Sequence, residues 1–185
     1  MKTEHRFAEA LKSMMSETAL DNISVTALCK KCKVNRQTFY YHFHNFYDLL
    51  TLVYLDEKVV ALDKVKTIRE LIRVIYDYSI KNVNFVMATI NSAGKDLYEQ
   101  FIYNAVYTTL YRLINESPEG KKIHSNDRKS IARFYALGYS YSFVYYFSTH
   151  KNKNFENLMG TFAFLGDNIL ENAVSKYIEL KGKEK

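Results

Sequence analysis

Tryptophan is absent from the 185 residues, proline occurs once, at Pro118, and glycine only six times. A chain so poor in backbone breakers leaves little room for the many tight turns of an all-β fold, and strand-like alternation of apolar and polar residues is hard to find. Cysteine occurs twice, as Cys29 and Cys32, too few for a disulfide framework and in keeping with a reducing cytoplasm. No stretch approaches the roughly 18 consecutive apolar residues of a membrane helix. The amino terminus, MKTEHRFAEAL, is charged and lacks the apolar core of a signal peptide. A cytoplasmic protein without a membrane partner is therefore expected. Internal repeats, low-complexity tracts and flexible linkers are also missing.

Hydrophobic residues make up 48% of the chain, with 16 tyrosines and 12 phenylalanines, enough for one substantial core or two small ones sharing a helix. The net charge of +6 permits an acidic partner. Helical spacing predominates, so the fold class is all-α. Phe7, Ala10, Leu11, Met14 and Thr18 mark a first helix, and Leu20 to Ile23 a break. Ser24, Asn35 and Asn45 are good caps for a second, third and fourth helix. The fourth is expected to run on from Tyr47 and Leu49 toward Val59 and Leu62. Thr67 and Glu70 form a capping box, and the apolar face behind it continues from Ile68 through Ile75 and Val83 to Ile90. Leu97, Phe101, Ala105 and Leu113 carry the next helix. A polar loop surrounds Pro118. Ile131, Phe134, Gly138, Tyr141 and Tyr145 mark another helix, and the positions from Phe155 to Tyr177 the last.

The chemistry concentrates in VNRQTFYYHF, residues 34–43. Phe39 and Phe43 lie four apart and share one helical face, suited to anchoring the segment against Leu28 and Leu49. Arg36, Gln37, Thr38, Tyr40, Tyr41 and His42 are left around the rest. So short a helix is not stable alone. It follows another short helix across a tight turn, the helix-turn-helix arrangement, whose second helix enters the DNA major groove. Arg36 suits guanine and Gln37 adenine. Thr38 and Tyr40 can donate hydroxyls to phosphate. No Asp or Glu lies between Asn22 and Tyr47, while Lys30, Lys31, Lys33 and Arg36 do, which lowers the cost of approaching phosphates.

These residues carry a resemblance. Ile23-Ser24-Val25-Thr26-Ala27-Leu28, then residues 34–43, then Tyr47-Asp48-Leu49-Leu50, resemble the amino-terminal signature of TetR/AcrR transcriptional regulators over about the first 60 residues. The RQTFYYHF wording is similar to the branch that includes activators of dihydroxyacetone kinase genes. The resemblance implies an all-helical homodimer, with a three-helix DNA-binding head and a helical ligand-binding and dimerisation body. The division drawn here is residues 1–48 for the helix-turn-helix domain and 49–185 for the regulatory and dimerisation domain. Carried over by position, Thr26, Arg36, Gln37, Tyr41 and His42 face bases or groove walls, and Ser24, Thr38 and Tyr40 hold phosphates. There are departures. Lys33 stands where the family usually has Gly, in a turn that favours a left-handed backbone, although its ammonium can reach a phosphate. Gln37 replaces a small residue. Phe46 stands where many members carry a phosphate-binding lysine.

Other chemistries fit poorly. Cys29 and Cys32 with His42 and His44 offer four metal-ligand types, but the two histidines have only Phe43 between them and diverge on a helix, unlike a zinc finger. No third group orients a Cys–His nucleophile, and there is no glycine-rich phosphate loop or paired acidic constellation. Neither an enzyme nor a cofactor is expected. In the second half, the tyrosines serve packing or line an aromatic effector pocket, with Tyr107, Tyr139 and Tyr141 as its expected walls. Gly138 allows close helix approach, and Phe155, Leu158, Phe162, Leu165 and Ile169 supply apolar area for a dimer interface. The expected function is that of a sequence-specific regulator binding an operator, a repressor controlled by a small molecule or a protein co-regulator. The alternatives are an activator of a catabolic operon and a helical adaptor without DNA binding.

Overall fold

The computed structural model describes residues 2–150, 153–162 and 169–183. Its helices are α1 (Thr3–Met15), α2 (Val25–Cys32), α3 (Arg36–His42), α4 (Phe46–Asp56), α5 (Ile68–Lys81), α6 (Val83–Ile90), α7 (Lys95–Glu116), α8 (Ser125–Thr149), α9 (Phe155–Thr161) and α10 (Ile169–Lys183). Short 3-10 turns occur at Leu20–Asn22, Val60–Lys64 and Gly120–Lys122. No strand occurs among the described residues.

The expected caps form. Ser24 Oγ accepts from Ala27 N–H at 3.1 Å, and Asn45 Oδ1 accepts from Tyr47 and Asp48 N–H. At α5, Thr67 Oγ1 accepts from Glu70 N–H, while the Glu70 carboxylate reaches back to Lys66 N–H, one residue beyond the usual box. Several helices are shorter than expected. Thr18 lies beyond α1. α4 stops at Asp56, and Glu57 turns into extended backbone (φ −70°, ψ 118°), so Val59 and Leu62 lie outside it. The apolar face from Ile68 to Ile90 is interrupted at Asn82 (φ −110°, ψ 27°), whose side-chain amide donates to the Tyr78 carbonyl at 2.8 Å. Asparagine competes with helical bonding in this way. The expected last helix is two helices, α9 and α10.

The chain forms two compact units. The first comprises Met1–Lys58 and Tyr78–Phe101, the second Val59–Asp77 and Ile102–Lys185. In the first, α1 packs against α2, α4 and α6, with Phe7, Leu11, Leu28, Phe39, Leu49 and Val86 fully buried. One turn of α1 touches three elements. The Glu4 carboxylate accepts from His42 of α3, His5 pairs with Asp56 of α4, Arg6 donates to the Cys32 carbonyl of α2, and Phe7 meets Phe39 and Phe43 edge-on at 5.7 and 5.9 Å. Each such ring pair stabilises by about 0.5–1.5 kcal/mol beyond the area it buries. Deeper in this unit Tyr54 donates to Thr89 Oγ1 at 2.9 Å, and the Tyr98 and Ser79 hydroxyls meet at 2.7 Å. Burial pushes both phenols well above their usual range.

In the second unit Arg112 donates to the carbonyls of Leu62 and Val65 at 3.1 and 2.7 Å, and so holds the 3-10 turn there. Arg128 does the same for Gly120 and Ile123. Gly120 admits nothing larger, since a Cβ would stand 1.8 Å from the Ile114 carbonyl oxygen. Phe155, Leu158 and Phe162 are buried inside this unit. These three of the residues expected at a dimer interface are core of the unit.

Candidate nucleic-acid interface

α2 ends in a Schellman motif. Val34 N–H donates to the Cys29 carbonyl at 3.0 Å and Lys33 N–H to that of Lys30 at 3.1 Å. Closing it puts Lys33 in the left-handed region (φ 55°, ψ 44°), and no other non-glycine among the described residues has a positive φ. The glycine-like turn therefore forms around a lysine, whose side chain is exposed. Asn35 then caps α3. Its Oδ1 accepts from Thr38 N–H at 2.8 Å and from the Thr38 hydroxyl at 2.9 Å. That second bond occupies the Thr38 hydroxyl proton expected for a phosphate.

α3 sorts its residues by face. Phe39 is fully buried, with Phe43 just beyond the helix buried beside it. Arg36, Gln37, Tyr40 and Tyr41 are exposed, Tyr41 to 85%. Tyr40 keeps one edge of its ring against Phe39, at 5.3 Å, and leaves the other to solvent. Thr26 and Ser24 are exposed at the start of α2. His42 stands apart from the rest: it is half-buried, with Nδ1 3.2 Å from Glu4, so it braces α3 against α1. Phe46 is half-buried at 5.6 Å from Phe39 and extends the aromatic anchor.

The two cysteines face inward. Burial pushes both thiols up, against the opposing pull of Arg36 on Cys29 and of Arg6 on Cys32. Cys32 Sγ contacts the Arg6 carbonyl. No group of three or more His, Cys, Asp or Glu among the described residues could hold a metal ion.

A TetR-type family model, described as a transcriptional regulator C-terminal region, matches residues 66–165. The chain belongs to the TetR family. It is thus a DNA-binding transcriptional regulator, and its all-helical architecture agrees. Among solved structures, the dihydroxyacetone kinase operon activator DhaS is similar, with a TM-score of 0.61 and 21% identity over 94% of this chain and 96% of that one. That likeness concerns the fold. No curated protein matches. No helix of this TetR-family chain is long and apolar enough to cross a membrane, among the described residues.

The three tyrosines expected to wall an effector pocket are not gathered. Tyr107 stacks between Tyr103 and Tyr111, at 5.9 and 6.1 Å, along α7. Tyr139 is buried with its ring 5.5 Å from Phe162, while Tyr141, two residues on and diverging from it on α8, is 68% exposed. Gly138 is exposed, with nothing within 4 Å of where a Cβ would stand. Leu165 lies outside the described residues, and Ile169 begins α10. The helix-period pattern could not separate the two faces of α8, because both are apolar. Ala132, Ala136, Tyr139 and Phe143 are buried, while Phe134, Leu137, Tyr141 and Tyr145 are exposed.

Proposed function

We propose that the chain reads an operator in duplex DNA through α3, with Arg36, Gln37, Tyr40 and Tyr41 toward the groove and Ser24, Thr26 and Lys33 at its flanks. One observation carries this reading. α3 buries Phe39, with Phe43 beside it, and holds Thr38 and His42 by internal bonds, yet turns Arg36, Gln37, Tyr41 and one edge of Tyr40 to solvent. Bidentate pairing of Arg36 with guanine or Gln37 with adenine is worth about 1–3 kcal/mol of discrimination each. Lys33 and the hydroxyls of Ser24 and Tyr40 suit phosphates.

A homodimer follows from the need to place two heads on half-sites about one helical turn, roughly 34–36 Å, or a multiple apart. The surface that supports it is the exposed row Phe134, Leu137, Tyr141 and Tyr145 of α8, with Gly138 allowing close approach. Such a row on a monomer surface favours self-association. Control by a small molecule or protein co-regulator in the cytoplasm, with repression as the default output, completes the reading. The similarity to an operon activator favours activation of a catabolic operon as the second reading.

Selection of operator from random duplexes tests the first claim, followed by a promoter reporter with and without the chain for the sign of control. Arg36→Ala is expected to weaken the selected site by about 1–3 kcal/mol and relax one base position. Affinity should fall steeply with salt. An Arg36→Ala protein that binds like the parent refutes the placement of α3, and salt-insensitive binding refutes DNA recognition.

A further inference from the structure

The first unit carries a cleft of about 480 Å³ lined by neither α2 nor α3. Its walls are α1, from His5 to Lys12, and the end of α4 with Glu57 and Lys58 just beyond. Its volume lies within the range of about 300–1,000 Å³ common to small-ligand sites. One ion pair and one histidine–carboxylate contact cross it. Lys12 Nζ lies 2.6 Å from Glu57 Oε2, and His5 Nδ1 lies 2.7 Å from Asp56 Oδ2. Beneath the Lys12 ammonium lie two aromatic faces, with the Phe85 ring centre at 5.4 Å and that of Tyr78 at 5.8 Å. The Tyr78 hydroxyl is buried without a hydrogen bond of normal geometry, and burial and the nearby Glu57 carboxylate drive its phenol far above the usual range.

These features favour one sign of charge. Beside His5, the lining holds three carboxylates, Glu9, Asp56 and Glu57, and two ammoniums, Lys12 and Lys58. α4 ends here, so its last carbonyls present the negative pole of the helix. Ring faces attract cations. An anion would meet three carboxylates. A cation would find a seat already shaped for an ammonium and filled, in the free chain, by a lysine on a flexible stem.

We infer that this cleft binds a small organic cation, a primary amine of a few carbons. The amine takes the seat between Glu57 and the Phe85 and Tyr78 rings in exchange for the Lys12 ammonium. The inference does not rest on how the chain reads DNA, and its test needs none.

The test is calorimetric titration of the full chain with n-butylamine and putrescine at low ionic strength, with sodium acetate as the anion probe. Both amines are expected to bind, and more weakly as salt rises. Glu57→Gln is expected to weaken them at least tenfold. Lys12→Met, which keeps an apolar stem and removes the resident competitor, is expected to bind severalfold tighter. Shifts of the Lys12 ε-methylene and His5 ring resonances in the unmutated chain give the same answer should a variant fold poorly. No heat from either amine, binding of acetate instead, weaker binding by a folded Lys12→Met, or amine-induced shifts that leave Lys12 and His5 unmoved each overturns the inference.

Discussion

Replacing Lys33 by glycine should stabilise the fold and weaken its grip on DNA. Lys33 closes the turn between α2 and α3 at φ 55°, with its N–H and that of Val34 both spent on the Schellman bonds. A left-handed backbone costs an L-residue about 1–2 kcal/mol. Glycine avoids that cost, but its extra freedom in the unfolded chain returns about 0.5–1 kcal/mol. The net gain is about 0.5–1 kcal/mol, which at about 2–4 °C per kcal/mol for a chain of this size raises Tm by roughly 1–4 °C. The lysine also contributes an exposed ammonium beside α3. If that ammonium contacts a phosphate, losing it lowers the slope of log affinity against log salt by about 0.9 per protomer. Lys33→Ala separates the effects, because alanine keeps the backbone cost and loses the charge. It should match glycine in DNA binding and the parent in stability. Urea midpoints and fluorescence-anisotropy titrations at two salt concentrations read both. A glycine variant no more stable than the parent refutes the backbone argument. Unchanged salt slopes in both variants refute the phosphate contact.

Asn35→Ala removes the cap of a seven-residue helix and should cost about 0.5–2 kcal/mol, seen as a lower urea midpoint, with Asn35→Ser recovering most of it. The buried phenols Tyr54 and Tyr98 keep their protons in the folded chain beyond the pH, about 10, at which a free phenol ionises. Stability should therefore be whole below pH about 10 and fall above it by up to about 1.4 kcal/mol per pH unit for each phenol, and urea midpoints that stay flat from pH 9 to 11 would refute this. Phe134→Glu with Tyr141→Glu places like charges on the exposed row of α8. Light scattering should then drop from twice the 21.7 kDa chain mass to once it, with helical content retained. A dimer that survives the pair of charges lies elsewhere.

How much of this was legible in the sequence depended on how local its cause was. Caps are local, and Ser24, Asn35, Asn45 and Thr67 all accept the bonds their positions suggest. The inward pair Phe39 and Phe43 was legible from spacing, but its ring partner Phe7 was not, because nothing nearby in sequence points to it. The ends of α4 and α5 were missed for the same reason. Glu57 leaves the helix while bonded to Lys12, 45 residues away, and Asn82 breaks an apolar face that keeps its period on both sides. α8 shows the limit of periodicity. The row Ile131, Phe134, Gly138, Tyr141 and Tyr145 identified a helix correctly, yet most of it is solvent-exposed, and the buried row runs through Ala132, Ala136 and Tyr139. When both sides of a helix are apolar, spacing finds the helix and cannot choose the side. For the interface, the residue types of α3 were legible and its geometry was not. The engagement of His42 by Glu4, 38 residues upstream, had no local sign.

The first turn of α1 also has a bearing on how the protein is made. Glu4, His5, Arg6 and Phe7 leave the ribosome before any of their partners. Arg6 waits 26 residues for the Cys32 carbonyl, Glu4 waits for His42, and Lys12, two turns on, waits 45 for Glu57. A thirteen-residue helix is marginal in water on its own, so during synthesis Phe7, Leu11 and Met15 form an apolar strip with nothing to cover it. At about 5–20 residues per second that interval lasts several seconds, long enough for a chaperone, or a neighbouring nascent chain, to find the strip first.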